Sequence, residues 1–346
     1  MENIVIFRIG HLGDTVVALP CFHLIARAFP NARRTLVTNI PASRKAAPVE
    51  GVLAGSGLID DVIYFPPAPR RFGDFLELAS KIRATKARKL IYIADRHTAL
   101  RPVMTTLRDI LFFRACGLRE FVGASTAKGL RKLRIDAGTG HTEREAERLA
   151  RCLAQLGSVD FEDPANWDLR LQPAELAAAD TALAPLRGHR FIAINAGGKI
   201  AEKDWGDENW FSLLRLMSGP LSDLALVFFG SPDEAERANR MAAAWPGVTL
   251  NLCGQLAPRE SAAAMRRAAL FLGHDSGPMH LAAAAGTTCV AMFGHINMPK
   301  WWYPWGDHHR ILHDMNNVRA IPPQAVYEAV ASVAGDISPA RCHQSR

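Results

Sequence analysis

The chain has 346 residues, 49% hydrophobic and 22% charged, which is typical of globular proteins and long enough for two domains. Its longest apolar runs are far shorter than a membrane span, and we expect no secretion signal and a cytoplasmic location. The six cysteines include no C-x-x-C pair, a pattern typical of reduced thiols rather than of a disulfide framework or a zinc site.

Positive charge is concentrated in one stretch. The formal net charge is +7, and residues 96–134 carry nine Lys/Arg against two acids, so this basic segment accounts for all of it. A solvated helix face is the ordinary role of any single one of these residues, whereas their concentration favours an anionic partner. No DNA- or RNA-binding motif accompanies them, so nucleic acid is not an expected partner.

The first half alternates β-rich runs with helical periods. The predicted strands are 3–8, 34–38, 61–64 and 89–94, and the predicted helices are 14–29, 75–83, 107–116 and 142–156. Such alternation predicts a parallel sheet covered by helices on both faces.

The second half repeats this alternation after a stretch, 158–190, without clear strand patterning, where we place the linker. The predicted strands are 191–195, 224–229, 248–251, 270–272 and 288–292, and the predicted helices are 208–217, 233–244, 259–268 and 278–285. We therefore predict an α/β fold of two doubly wound domains, 1–170 and 188–346, facing each other across a cleft.

The first candidate motif, Gly10-His-Leu-Gly13-Asp14, joins the first predicted strand to the first helix. Glycines permit a tight turn and close approach of the backbone to a ligand, and parallel sheets bind ligands at the carboxyl ends of strands. The motif is not G-x-G-x-x-G, and Thr38 and Asn39 stand where an acidic residue would end the second strand, which disfavours a dehydrogenase. The structural alternative makes Asp14 a plain helix N-cap.

The second candidate motif, His274-Asp-Ser-Gly-Pro-Met-His280, follows a predicted apolar strand. Ser276 or Gly277 can cap the next helix, whose backbone N–H groups suit a diphosphate, while Asp275 suits sugar hydroxyls. The alternative is a capped helix in which His280 is a core or surface histidine. The histidine spacing is not that of a zinc site.

Three further motifs lie in the second half. Asn195-Ala-Gly-Gly198-Lys199 with Lys203 is a candidate phosphate loop, although a flexible turn with solvated lysines is the commoner outcome and the P-loop pattern is absent. Gly230-Ser-Pro-Asp-Glu234 is explained by helix capping alone. The aromatic run 301–305 is able to stack on a base or sugar, although buried packing is more common.

In their order along the chain, these motifs resemble glycosyltransferase family 9, the heptosyltransferases that build the lipopolysaccharide inner core. The resemblance covers Met1 to about Glu328 and is most specific over 271–281. The matching elements are Ile4-Val-Ile-Phe-Arg-Ile-Gly-His-Leu-Gly-Asp14, Lys203-x-Trp205, Gly230-x-Pro-x-Glu234, Asp275-Ser-Gly-Pro-Met-His-Leu281 and Ala291-Met-Phe-Gly294. The chain departs from the family pattern at Asn195-Ala-Gly-Gly, at Gly206 and at His274, which affects the phosphate loop and the donor rather than the family.

The resemblance implies a GT-B fold of two Rossmann-like domains, with a C-terminal helix returning to the first. It implies inverting transfer, usually from an ADP-activated heptose, to an anionic glycan or glycolipid acceptor facing the basic segment, with peripheral contact at the inner face of the cytoplasmic membrane. No Asp-x-Asp pair flanked by a strand occurs, so no essential metal or other cofactor is expected. Two alternatives remain: a nucleotide-sugar epimerase on the same fold, and a noncatalytic nucleotide-sugar-binding protein.

The resemblance also implies roles for individual residues. Asp14 is the catalytic base, and Lys203 with the helix start at Ser276 and Gly277 neutralises the leaving phosphate. Glu234 holds the nucleotide ribose and Asp275 the donor sugar. The remaining binding residues are Gly13, Gly198, Lys199 and His280, of which His280 is expected near the phosphates or the acceptor.

Overall fold

The structure is a computed structural model of the chain. It describes residues 2–41, 47–66, 72–94, 102–125, 128–198 and 200–336. The chain folds into two compact units, Met1–Arg170 and Leu171–Arg346. None of the helices in the described ranges combines the length and the apolar character needed to cross a bilayer.

The first unit contains a five-stranded parallel sheet in the order β3-β2-β1-β4-β5. Its strands are β1 (Asn3–Phe7), β2 (Arg33–Asn39), β3 (Asp61–Phe65), β4 (Lys89–Tyr92) and β5 (Glu120–Val122). Its helices are α1 (Leu12–Val17), α2 (Leu19–Ala28), α3 (Glu50–Leu53), α4 (Phe72–Ala84), α5 (Pro102–Ala115), α6 (Lys128–Arg131) and α7 (Glu145–Cys152).

The β-branched run of β1 forms the centre of this sheet, where Ile4, Val5 and Ile6 are fully buried. Two predicted boundaries differ from the structure. The single predicted helix 14–29 is interrupted at Ala18, which ends α1 and precedes Pro20 in the first turn of α2. The predicted helix 142–156 is shorter, because the chain changes to a 3₁₀ turn after Leu153.

The second unit contains a six-stranded parallel sheet in the order β11-β10-β9-β6-β7-β8. Its strands are β6 (Phe191–Asn195), β7 (Ala225–Phe228), β8 (Thr249–Asn251), β9 (Leu270–His274), β10 (Cys289–Gly294) and β11 (Arg310–Asp314). Its helices are α8 (Pro173–Leu183), α9 (Asp207–Met217), α10 (Ala235–Ala243), α11 (Pro258–Met265), α12 (Gly277–Ala284) and α13 (Pro323–Asp336).

Part of the stretch predicted to be a linker is helical instead. The helix α8 packs against α11, and Arg259 forms an ion pair of 2.5 Å with Glu175 between them. Residues 173–183 therefore belong to the second unit. The last described helix, α13, buries Val326, Val330 and Val333 in the core of that unit. The return of a C-terminal helix to the first domain stays a prediction.

Candidate functional site

Each sheet reverses its strand order at one point, between β1 and β4 in the first unit and between β6 and β9 in the second. Open α/β sheets bind ligands outside the carboxyl ends of their strands at such a point. The predicted motifs fall there: Gly10–Asp14 follows β1, Asn195–Gly198 follows β6, and His274–His280 ends β9 and enters α12. Each unit therefore carries a candidate site at its switch point.

Asp14 is half-buried in the first turn of α1. Its Oδ2 accepts a hydrogen bond of 2.7 Å from the backbone N–H of His11. The N-cap position is His11, so the alternative prediction that Asp14 is the N-cap is wrong, although its carboxylate does stabilise the helix start. Gly13 is the second residue of the same helix. This single contact fixes one carboxylate oxygen of Asp14.

Gly10 of the predicted motif and two residues without a predicted role, Arg8 and Asn39, support the Asp14 turn. The buried Arg8 guanidinium donates to the backbone oxygen of Asp14 at 2.7 Å and to that of Ile93, after β4, at 2.8 Å. Gly10 has a φ of +147°, and its backbone N–H donates a hydrogen bond of 3.0 Å to Asn39 Oδ1. A Cβ at Gly10 would lie 2.6 Å from Asp14 Cβ, so only glycine fits there.

The centre of the second candidate site is an ion pair. Lys203 Nζ lies 2.6 Å from Asp275 Oδ2, and the Lys203 side chain is 23% exposed whereas that of Asp275 is 8% exposed. The side-chain amide of Asn297, in the loop after β10, donates to the same carboxylate oxygen. The structure thus brings together two predicted residues, Lys203 and Asp275, and adds Asn297, which no sequence motif indicated.

His280 and Ser276 flank this ion pair on α12. His280 is buried, its Nε2 lies 4.0 Å from Asp275 Oδ1, and its ring meets the edge of Trp302 at 6.1 Å. Ser276 is the N-cap, as predicted, and its Oγ accepts from the N–H of Met279 at 3.4 Å. Gly277 is the first residue of the helix. The N-terminal end of α12 therefore lies beside the Asp275 carboxylate.

Glu234 lies between the loops that follow β6 and β7. Its Oε2 accepts from the N–H and the hydroxyl of Ser231 at 2.6 and 3.0 Å. A Cβ at Gly197 would lie 1.4 Å from Glu234 Oε1. The β6 loop therefore approaches the carboxylate so closely that only glycine fits at this position. The capping predicted for this motif is present, with Ser231 as the N-cap and Glu234 in the first turn. Gly198 is exposed next to it, and Lys199 lies outside the described residues.

His274 connects two parts of the loop between β6 and α9. Its ring is fully buried, the N–H of Trp205 donates to its Nε2 at 3.2 Å, and its Nδ1 lies 3.4 Å from the carbonyl oxygen of Gly197. Burial lowers the pKa of His274 to about 4. The imidazole is therefore neutral at pH 7, with the proton on Nδ1, and it fixes the segment that carries Lys203.

Arg237 on α10 holds the same segment from another side. Its guanidinium donates to the carbonyl oxygen of Ala196 at 2.8 Å and pairs with Asp204 at 3.0 Å. It also pairs with Asp207 at 2.6 Å. A lone arginine on a helix gives no sequence signal for such a role. Together, His274 and Arg237 fix the loop on both sides of Lys203.

The basic segment is described only in part. Arg96 and Arg101 lie outside the described residues, as do the side chains of Lys128 and Arg131. Within the described part, Arg108 pairs with Asp109 at 2.7 Å and Arg114 lies over the ring of Phe121 at 5.6 Å. Both arginines are exposed, and Asp109 balances the charge of Arg108.

Comparison with known proteins gives a family match. The sequence model described as "Glycosyltransferase family 9 (heptosyltransferase)" matches residues 117–322, more than half of the chain. A curated relative, lipopolysaccharide heptosyltransferase 3 of Escherichia coli, is 27% identical over 149 residues. That match covers 42% of this chain and 40% of the relative, so well under half of the relative's length is represented.

Solved structures match over nearly the whole chain. The glycosyl transferase family 9 structure from Veillonella parvula has a TM-score of 0.73 at 20% identity and covers 97% of this chain and 98% of its own. The ADP-heptose LPS heptosyltransferase II of E. coli has a TM-score of 0.67 at 16% identity. The match covers 97% of this chain and 99% of that structure. The predicted fold class, an α/β protein of two Rossmann-like units with the GT-B fold, is confirmed.

Proposed function

The chain belongs to glycosyltransferase family 9, and on that premise we propose that it transfers a heptose from an ADP-heptose donor to a hydroxyl of an anionic acceptor such as the lipopolysaccharide inner core. The observation that carries the proposal is the Lys203–Asp275 ion pair at the second switch point. The ion pair combines a cation suited to phosphate with a carboxylate suited to sugar hydroxyls. Phosphate and sugar hydroxyls are both present in a nucleotide sugar.

The acceptor side of the reaction needs a base. The acceptor oxygen attacks the anomeric carbon of the donor, the bond to the diphosphate breaks, and the acceptor proton passes to a carboxylate. We assign this role to Asp14, because its Oδ2 is held by the His11 N–H while its other oxygen makes no hydrogen bond to a described residue. A carboxylate fixed at one oxygen is oriented before substrate binds, with Gly13 in the adjoining backbone.

The donor side needs cations and hydrogen-bond donors around the leaving diphosphate. The Lys203 ammonium has three N–H groups, of which one lies on Asp275, so a phosphate oxygen is able to share the same cation. The N-terminal end of α12 at Ser276 and Gly277 adds backbone donors, and the loop at Gly198 and Lys199 adds others. These groups act where negative charge grows during transfer.

The sugar and the ribose are assigned to the carboxylates of the second unit. Asp275 binds hydroxyls of the donor sugar, with His280 beside it at 4.0 Å. Glu234 binds the ribose hydroxyls from its position between the β6 and β7 loops. One solved relative of the same fold is named as acting on ADP-heptose, which supports adenine as the donor base.

A donor screen tests this proposal. Purified protein is incubated with ADP-heptose, other ADP-sugars and UDP-sugars, with and without lipopolysaccharide core acceptor, and nucleotide release is followed. Release of ADP that requires acceptor is the expected result. Conversion of free donor without acceptor would indicate an epimerase, and binding of donor without turnover would indicate a noncatalytic protein. Either result would overturn the proposal.

A further inference from the structure

Two hydrogen-bond donors share one oxygen of the Asp275 carboxylate. Lys203 Nζ lies 2.6 Å from Oδ2, and the side-chain amide of Asn297 donates to the same atom. The other oxygen, Oδ1, makes no hydrogen bond to any residue in the described ranges, and His280 Nε2 lies 4.0 Å from it. The carboxylate is therefore held through Oδ2, and Oδ1 keeps its capacity to accept hydrogen bonds from a ligand.

The two donors differ in charge and in exposure. The Lys203 side chain is 23% exposed and carries a positive charge, so a phosphate oxygen competes with Asp275 for its ammonium group. Asn297 is 7% exposed, and its amide is neutral, so an anionic ligand attracts it far less. A phosphate that binds Lys203 therefore leaves the contact between Asn297 and Asp275 in place.

The turn that carries Asn297 is held by side chains on the far side of the loop. The backbone N–H of Asn297 donates to the carbonyl oxygen of Gly294 at 3.4 Å, and His313 Nε2 on β11 lies 3.1 Å from the same oxygen. Burial lowers the pKa of His313, so its ring is neutral at pH 7. Because a carbonyl only accepts, Nε2 carries the proton, and Nδ1 accepts from the Tyr303 hydroxyl at 2.7 Å. These contacts fix the backbone from which the Asn297 amide reaches Asp275.

We propose that Asn297 is a positioning residue that holds the Asp275 carboxylate in place for the sugar of the donor. The inference rests on the proposed function, in which Lys203 binds the diphosphate and Asp275 binds sugar hydroxyls. When the diphosphate attracts the ammonium group, the carboxylate would be able to rotate if Lys203 were its only partner. The Asn297 amide prevents this rotation, so Oδ1 stays oriented before the sugar binds.

Asn297→Ala separates the two parts of the donor. Calorimetry measures the dissociation constants of ADP-heptose and of ADP, and their ratio isolates the contribution of the sugar, which ADP lacks. We expect ADP to bind within about twofold of its affinity for the parent protein, because Lys203 is unchanged. ADP-heptose should bind about tenfold more weakly, since a hydrogen bond that orients a charged group is lost. The ratio should therefore rise about tenfold.

Asn297→Asp tests the donated hydrogen bond in a side chain of nearly the same shape. Above about pH 7 the introduced carboxylate has no proton to donate and repels Asp275, so the ratio should be raised as in Asn297→Ala. On acidification the two carboxyl groups share a proton, one of them donates to the other, and the ratio should return toward the parent value. Each variant is compared with the parent at the same pH, because both proteins contain the other charged or titratable groups near Asp275. These are Lys203, His274, His280 and His313.

The matched control is Asn239→Ala, which removes an exposed asparagine of the same unit whose amide oxygen accepts from Asn251 on β8 at 2.7 Å. This control should keep the parent ratio, and melting curves verify that all variants fold. An unchanged ratio in Asn297→Ala, or a ratio in Asn297→Asp that does not recover in acid, overturns this inference alone. A parent protein that does not bind ADP-heptose overturns it together with the proposed function.

Discussion

The switch points of the two units have the same position in the sheet and different chemistry. In the first unit, the cation Arg8 is fully buried and donates to backbone oxygens, whereas the half-buried carboxylate of Asp14 accepts from the N–H of His11. In the second unit, the cation Lys203 is partly exposed and pairs with the carboxylate of Asp275. One unit thus offers a carboxylate and the other a cation with its counter-ion.

The difference shows that strand order fixes where a ligand loop lies but not what that loop binds. A carboxylate held at one oxygen suits removal of a proton, whereas a lysine beside a helix N-terminus suits a leaving phosphate. If this division of roles is correct, variants in the first unit change the chemical step, and variants in the second also change donor affinity.

Asp14→Asn should have the largest effect. The amide oxygen still accepts from the His11 N–H, but the base is lost, so kcat should fall about 100-fold or more while donor affinity stays constant. Initial rates and calorimetric donor binding measure both quantities. Asp14→Ala is the matched control, because it also loses the contact with His11 and about 1 kcal/mol of stability. Near-normal turnover by Asp14→Asn would show that Asp14 stabilises the start of the helix and is not the catalytic base.

Lys203→Ala should weaken ADP binding about tenfold to 100-fold and also slow transfer, since a charge-assisted contact contributes about 1.5–3 kcal/mol. Calorimetry with ADP measures the affinity. Lys300→Ala, at an exposed lysine of the same unit, is the control and should bind ADP normally. Unchanged affinity in Lys203→Ala would remove this lysine from the site and make Lys199 the replacement.

The buried His274 should make the second unit sensitive to acid. Its pKa is lowered by burial to about 4 from 6.5 in the unfolded chain, so between these pH values the unfolded state binds the proton and the folded state does not. The free energy of unfolding should therefore fall by about 1.4 kcal/mol for each pH unit of acidification in this window. Denaturant titrations of the parent and of His274→Asn measure it. When the free energy of unfolding is plotted against pH, the slopes of the two proteins should differ by this amount in this window. Equal slopes would contradict the prediction.

Higher salt should raise the acceptor KM severalfold and the donor KM much less. Exposed charges are screened beyond about 8 Å at physiological ionic strength, and the basic segment lies in the first unit. Reversing charge at Arg119, an exposed member of the segment, and at Arg101 should have the same effect. A neutral acceptor analogue that reacts equally well, with no salt dependence, would leave the basic segment as a solvated surface.

Excess EDTA should have no effect on the rate. Lys203 and the start of α12 are proposed to supply the electrostatic stabilisation that a divalent cation supplies in other transferases. Initial rates with and without EDTA, with a chelator-sensitive enzyme as control, test the expectation. Loss of activity that magnesium or manganese restores would contradict it.

Sequence patterns were sufficient for most central strands and for the positions of the motifs. The β-branched run at Ile4–Ile6 and the glycines around Gly10 are local features, and they predicted a buried strand followed by a tight turn. The three-residue strand β5, the strand β11 and the helix α8 were not predicted. Short strands at the sheet edge depend on a neighbouring strand, and the Ala-rich α8 depends on α11, so their local patterns were weak.

By itself, the sequence determined the family, the α/β class and the candidate residues Asp14, Lys203 and Asp275. Hydrophobic periodicity, the positions of glycines and the order of motifs can all be read directly along the chain. Only the tertiary structure decided that Lys203 and Asp275, 72 residues apart, form an ion pair. The same holds for Asn297, which donates to Asp275, and for His274, which holds Gly197 and Trp205. These contacts arise because the strand order β10-β9-β6 brings distant loops to one edge of the sheet, and no local pattern encodes that order.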